Sequence, residues 1–289
     1  MFRAAEDCYM KIGFFGINFG VAGDVNAMIH IAKAAEACGL ESVWTGEHVV
    51  LPDPRVAPSP SDPQTPILDP AVALSHIAAH TSRLRLGTGV IILPQRNPLI
   101  LAKELASVDV VSQGRLIFGL GAGYLEPEFR ALGAPFEDRG AVTDEAIEAI
   151  KALWTMEKPA YKGRFFSFEG IDAQPRPLQK PHPPIVVGGM SRSGAKRAAR
   201  YGNGWYGFLT DLESTAQSIE WIRGYIADGL RADELGEVEI SVTPPMRLTK
   251  AVVDKYAEIG VHRLIPVSNA TSLSEVLRFV DTLGEIASR

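Results

Sequence analysis

The chain has 289 residues, 29 of them Lys or Arg against 34 Asp or Glu, for a formal net charge of -5. That acid excess excludes the concentrated basic surface that nucleic acid or acidic lipid would need, and no apolar run reaches the roughly 18 residues of a bilayer span. With 46% hydrophobic and 22% charged residues the composition suits a globular protein with one large core. Cys8 and Cys38 show no CxxC or Cys/His spacing, so neither a disulfide framework nor a metal site is expected, and a reducing cytoplasm is the expected location. The N-terminus lacks the basic, apolar and small-residue succession of a signal peptide.

Residues 1–9 are polar and aperiodic and are expected to be a peripheral extension; residues 10–289 are expected to form one domain. From Met10 onward, β-rich runs alternate with stretches of helical period. Strands are predicted at Lys11 to Ile17, Ser42 to Thr45, Leu84 to Leu93, Leu116 to Leu120, Ile185 to Gly188, Gly204 to Phe208, Glu239 to Val242 and His262 to Val267. Helices are predicted at Val25 to Cys38, Leu99 to Val111, Val142 to Met156, Leu212 to Ile226 and Leu273 to Leu283. In the first, Asp24 caps the start, Met28, Ile31, Ala32 and Ala35 form the apolar stripe, and Gly39 stops the helix. Eight such units make a (β/α)8 TIM barrel with long loops after strands two and four. The two long segments, His48 to Pro70 and Glu157 to Pro184, are expected at the carboxyl face as walls of a site.

In such a barrel the active site lies at the carboxyl ends of the strands. The residues falling there are Asn18; Trp44, Glu47 and His48; Gly87, Gly89 and Val90; Gly119, Gly121, Gly123 and Tyr124; Gly188, Gly189 and Ser191; and Trp205 and Tyr206. Gly87 and Gly89 interrupt a β-branched run, which marks a bulge or the close approach of another group, here a planar cofactor, unless the run is only a tight barrel corner. Histidine as a residue type suits proton transfer near neutral pH, and His48 is the candidate acid or base, with Glu47 beside it to orient it. Gly188-Gly189-Met190-Ser191-Arg192-Ser193 feeds the helical Ala195 to Arg200, a place for a phosphate, although Ser191 or Ser193 could serve simply as an N-cap. Lys196 and Arg197 add charge there or lie on a solvated face. Gly119-Leu-Gly-Ala-Gly123 has GxGxG spacing in the fourth unit, which is not a dinucleotide fingerprint. Trp44, Trp205 and Tyr206, with Phe166, are the candidate lining of a partly apolar substrate pocket.

From Lys11 to Arg289 the sequence resembles the luciferase-like monooxygenase superfamily, in the branch that uses the deazaflavin coenzyme F420. The segments carrying the resemblance are Thr45-Gly-Glu-His-Val-Val-Leu-Pro52, Arg85-Leu-Gly-Thr-Gly-Val90 through Asn97-Pro98, Ala102-Lys103 to Gly114-Arg115, Phe118-Gly-Leu-Gly-Ala-Gly123, and Pro183-Pro-Ile-Val-Val-Gly-Gly189 with Asn203-Gly-Trp205. The resemblance implies a cofactor ring at the barrel mouth against a strand-three bulge. It also implies a non-prolyl cis peptide at Gly89-Val90 and a phosphate-bearing tail reaching Gly188, Gly189, Ser191 and Arg192. Hydride transfer to or from a small organic substrate is then the implied activity, with His48 moving the proton. Relatives that oxidise sugar phosphates carry a glutamate after the strand-four glycines where this chain has Tyr124, which either donates a proton or packs on the ring.

Two other readings stay open on the sequence. One is a two-component monooxygenase using FMN in place of F420; the other is a flavin- or deazaflavin-binding protein without turnover. The resemblance further implies pairing of outer helices into a homodimer, for which Val142 to Met156 is the candidate.

Overall fold

The computed structural model describes residues 10–288, so the expected extension at residues 1–9 lies outside the described residues. Its strands are β1 (Lys11–Phe15), β2 (Ser42–Thr45), β3 (Arg85–Thr88), which resumes as Ile91–Ile92 beyond a bulge, β4 (Leu116–Gly121), β5 (Ile185–Gly188), β6 (Gly204–Phe208), β7 (Glu239–Thr243) and β8 (Arg263–Leu264). Each pairs in parallel with its neighbours in this order, and β8 returns to β1 through Lys11 opposite Arg263, closing the eight-stranded barrel. The bulge carries the expected cis peptide at Gly89-Val90.

Around the sheet lie α1 (Val25–Ala37), α2 (Pro70–Ala78), α3 (Pro98–Val111), a short α4 (Glu126–Ala131), α5 (Arg139–Thr155), α6 (Arg192–Tyr201), α7 (Leu212–Ala227), α8 (Lys250–Glu258) and α9 (Leu273–Ala287). The caps follow local chemistry: Asp24 accepts from the Ala27 amide at 2.9 Å, and Asn97 accepts from Leu99 at 2.9 Å with Pro98 in the first turn. Most of the apolar surface is buried between sheet and helices, including Val43, Leu86, Leu120, Val187, Trp205 and Val242. A second, smaller cluster fills the barrel itself: Phe15, Trp44, Ile117, Val186, Tyr206 and Ile265.

Glycines make that filling possible. Gly87 lies opposite Trp44 in the β2–β3 register, and a Cβ on it would stand 2.4 Å from the indole. A Cβ on Gly119 would meet the Thr88 carbonyl oxygen at 1.8 Å. The amino end of the barrel is closed by Arg263, which is 1% exposed. Its guanidinium donates to both Glu41 oxygens at 2.9 Å, to Glu239, and to the Ser241 hydroxyl at 3.0 Å, with its carbon 5.7 Å from the Trp44 ring centre. Burial works against the charge on Glu41 and Glu239, but Arg263 more than offsets it and both carboxyls fall below their ordinary range.

The segment Glu157 to Pro184 is not where the sequence reading puts it. It leaves the carboxyl end of α5 and enters the amino end of β5. Because α5 runs antiparallel to the strand it follows, both ends of the segment belong to the amino side of the barrel. Its short hairpin, Tyr161–Lys162 against Ser167–Phe168, packs along α5, with the Arg164 and Phe165 amides held by Glu145 at 2.9 and 2.8 Å. The long loop after strand four is instead 122–138, which contains α4. The apolar residues of α5 are also accounted for: Val142, Ala146, Ile147, Ile150, Leu153 and Trp154 are buried in the core, leaving no apolar stripe on this helix for a second copy.

Replacing Arg263 by Met is expected to cost about 3 kcal/mol near pH 7, because two carboxylates lose a buried partner. Their folded-state pKa values are lowered, so this contribution is present above about pH 4.3, the unfolded value, and is lost as pH falls through the folded values. Urea unfolding near pH 7 and near pH 3 checks that the penalty shrinks in acid. In the same assay Gly119→Ala should cost about 3 kcal/mol, whereas Gly224→Ala, with open space beside it in α7, should gain roughly 0.5–1 kcal/mol.

Candidate active site

The site begins with how the loop after β2 is held. The Asn18 side chain, fully buried, accepts from the Gly46 amide at 2.8 Å and donates to the carbonyls of Gly46 at 2.9 Å and Leu68 at 2.6 Å. It therefore fastens both ends of that loop to the end of β1, and both of its N–H groups are used there. Glu47 and His48 follow in sequence, but their side chains diverge. Glu47 accepts from the Ile92 amide at 2.5 Å and pairs with Arg96, which also reaches Asp69 at 2.8 Å. Burial raises the Glu47 carboxyl, and Arg96 offsets this in part. The expectation that Glu47 orients His48 is corrected: its carboxylate ties the β2 and β3 loops together.

The carboxylate that meets His48 is Glu128 on α4, whose Oε2 lies 3.0 Å from His48 Nδ1 while Oε1 accepts from the Val49 amide at 2.6 Å and the Val50 amide at 3.3 Å. A carboxylate only accepts, so Nδ1 carries the proton and, in the neutral ring, Nε2 is left as a base. Burial would raise the Glu128 carboxyl, but the hydrogen bond and charge of His48, with the Val49 amide, hold it below the ordinary range. The Tyr124 ring stands edge-on to His48 at 6.0 Å and is half exposed. Burial and the Glu128 charge push its hydroxyl up, so it remains a proton-bearing donor.

The glycines divide by task. Gly87 serves Trp44. Gly121 and Gly188 serve Val90, since a Cβ on either would lie 2.9 or 3.0 Å from its methyl groups. Val90 and Gly89, at the bulge, are half-buried and form a floor at the mouth beside Phe15 and Phe19. Across the mouth, Gly189, with φ of +127°, leads into α6, where the Ser191 hydroxyl accepts from the Gly194 amide at 3.2 Å. Ser191 is thus the N-cap, and residues 189–193 are exposed. Arg192 lies over the Trp221 ring at 5.3 Å. Lys196 is exposed, but Arg197 is buried and paired with Asp144 at 2.5 Å, so it is not free for an anion.

The expected substrate-pocket aromatics are corrected. Trp44, Trp205 and Tyr206 are at most 2% exposed. Trp44 stacks on Tyr206 at 5.6 Å inside the barrel, while Trp205 faces the helices and donates to the Gly189 carbonyl at 2.8 Å. Side chains alternate along a strand, so Trp205 and Tyr206 cannot share a face. The same alternation brings Phe208 to the mouth, 38% exposed and 4.8 Å from Phe15, a residue the sequence reading missed. Phe166 lies on the outer hairpin, packed against the helix layer.

The luciferase-like monooxygenase family model matches residues 10–279. The chain belongs to this family. An uncharacterized protein of Mycobacterium tuberculosis, Rv0953c, is 37% identical to this luciferase-like chain over 263 residues, covering 88% of it and 91% of the relative. The FMNH2-dependent dimethylsulfone monooxygenase of Pseudomonas putida is 31% identical over 170 residues, 57% of this chain and 47% of that enzyme. Among solved structures, an F420-dependent secondary alcohol dehydrogenase in complex with an F420-acetone adduct superposes with a TM-score of 0.77 over 97% of this chain and 99% of the other. At 16% identity that likeness shows the shared barrel. The neighbours thus include an F420-dependent dehydrogenase, alike in fold, and an FMNH2-dependent monooxygenase, alike in sequence.

Glu128→Ala leaves the Val49 amide and His48 Nδ1 without their acceptor and should cost about 2 kcal/mol near pH 7. The folded Glu128 pKa is lowered, so this contribution is present above about pH 4.3 and lost as pH falls below it. Urea unfolding across that range should show wild type and variant converging in acid.

Proposed function

We propose that this chain is an F420-dependent oxidoreductase that moves a hydride between the deazaflavin and a small organic substrate, with His48 moving the accompanying proton. The observation that carries this reading is the His48–Glu128 pair at the barrel mouth, with Nδ1 fixed and Nε2 left for substrate. A planar ring cofactor with a phosphate-bearing tail, as F420 is, fits the residues present. The half-buried Gly89-Val90 floor offers a surface for a planar ring, and the exposed residues Met190 to Ser193 at the start of α6, Arg192 among them, favour a phosphate. Bound there, the deazaflavin would supply or accept the hydride, with a carbon at its fifth ring position that suppresses reaction with oxygen.

The residues of the chain do the rest. Nε2 of His48 accepts the proton of a substrate hydroxyl as the carbon beside it loses hydride, and returns the proton in the reverse direction. Glu128 stabilises the imidazolium formed in that step. Tyr124 donates a hydrogen bond at the same edge of the mouth. We set this chemistry in a cytoplasmic enzyme with a small-molecule substrate and no nucleic-acid or membrane partner. Among the described residues no helix is long and apolar enough to cross a membrane.

A second reading, an FMN-dependent monooxygenase, is favoured by the sequence likeness to the Pseudomonas putida enzyme. Titrating the protein with F420 and, separately, FMN while following fluorescence quenching distinguishes the two. Tight F420 and weak FMN binding is expected; preference for FMN overturns the proposal. His48→Asn should keep F420 affinity and lower kcat by roughly 100-fold or more. Stoichiometric binding with no reoxidation by any substrate would point to a storage protein.

A further inference from the structure

Beside His48, the loops after β2 and β3 enclose a cleft of about 330 Å³, closed on one side by Leu132 just past α4. That is the size of a small-ligand pocket. One part of its lining is apolar: Val49, Ile67, Leu68 and Leu132. Val49 is 46% and Leu132 37% exposed, so their side chains are open to the cleft.

The charged part of the lining is already paired within itself and is acidic in balance. Arg96 is held by Glu47, by Asp69 at 2.8 Å and by Glu104 at 3.8 Å, and Glu128 stands behind His48. Four carboxylates thus surround one guanidinium and one imidazole. Burial raises the Glu47 and Glu104 carboxyls, as an anion-rich, poorly solvated corner would. A further carboxylate or phosphate entering here meets net negative charge, because the one guanidinium is already shared among Glu47, Asp69 and Glu104.

Two side chains in this wall carry buried polar atoms without a partner: the Arg96 Nε and the Gln95 carboxamide. Both the oxygen and the nitrogen of the Gln95 carboxamide are buried without a hydrogen bond, although the side chain lies near enough to Glu128 to favour its charge. A buried donor and acceptor left unmade is costly, and a ligand group that meets them removes that cost.

We propose that this cleft receives the apolar body of an uncharged substrate carrying a single hydroxyl or carbonyl group, placed between Gln95 and His48 Nε2, and that it rejects carboxylate and phosphate substrates. The proposal rests on the oxidoreductase reading above and names the substrate class of that site. It also separates two ends of the mouth: anions belong at the start of α6, neutral apolar molecules beside His48.

Isothermal titration with 2-octanone and with octanoate, on cofactor-free and cofactor-loaded protein near pH 7, tests it. The ketone should bind about tenfold or more tightly than the acid, a difference of about 1.4 kcal/mol. Leu132→Arg, at a half-exposed turn, should invert that preference while leaving the cofactor titration unchanged. Gln95→Leu should weaken ketone binding about fivefold or more. Equal or tighter octanoate binding, no ketone binding in either state, or ketone binding indifferent to both substitutions overturns the proposal. A protein that binds FMN in preference to F420 yet shows the ketone preference refutes the cofactor reading and leaves the substrate class standing.

Discussion

The interior of this barrel is too narrow for large side chains on every strand, and the fold depends on how that volume is shared. Trp44 and Val90 reach across it only because the positions they face carry hydrogen in place of a side chain: Gly87 for the indole, Gly121 and Gly188 for the valine. Interiors are packed at crystal-like density, so each such pair is a joint requirement and neither member can be exchanged alone. From Arg263 at the amino end, through Trp44 and Tyr206, to Phe15 and Phe208 at the carboxyl end, the barrel is a filled column. Chemistry is therefore confined to its upper surface.

That surface is held by two polar nodes, one buried at Asn18 and one half-buried at Arg96. Asn18 fixes the loop after β2 to the end of β1, and Arg96 fixes it to the loop after β3 and to the Asp69 cap of α2. Each bonding group in these nodes replaces an interaction with water by one of fixed direction, which limits the positions His48 can take. A proton-transfer group gains rate from such restriction, since reacting atoms must meet within a narrow range of distance and angle.

The strands and the first helix cap were legible because their causes are local: β-branched runs buried on both faces, and an Asp whose carboxylate meets an amide three residues on. The positions of glycine and the Gly89-Val90 bulge were legible as positions, but not their beneficiaries, because whether a glycine serves a ligand or a neighbouring side chain depends on the strand opposite. Trp205 was misplaced although the period-two rule, applied to Trp205 and Tyr206 together, would have sent one of them outward. Glu128 was missed for a different reason. It lies 80 residues from His48, and nothing in Glu126-Pro-Glu128 marks its second carboxylate as turned inward. The adjacent Glu47 supplied a nearer but incorrect partner. Sequence neighbours at a strand end point apart, so adjacency is weak evidence for a catalytic pair.

The arrangement of charge at the mouth then follows from topology. Parallel strands deliver every helix with its N-terminus at the carboxyl face, so each βα unit presents positive helix dipole there. At α2 and α3 the caps Asp69 and Asn97 occupy those amides, and Glu47, Glu104 and Glu128 add acid nearby. At α6 Ser191 caps the helix with no carboxylate beside it in sequence, Gly189 leaves the approach open, and the adjoining residue is Arg192. The same structural feature is thus neutralised on one side of the mouth and left exposed on the other. A ligand with an anionic tail and an uncharged reacting end has one favourable orientation across it, fixed before any side chain moves.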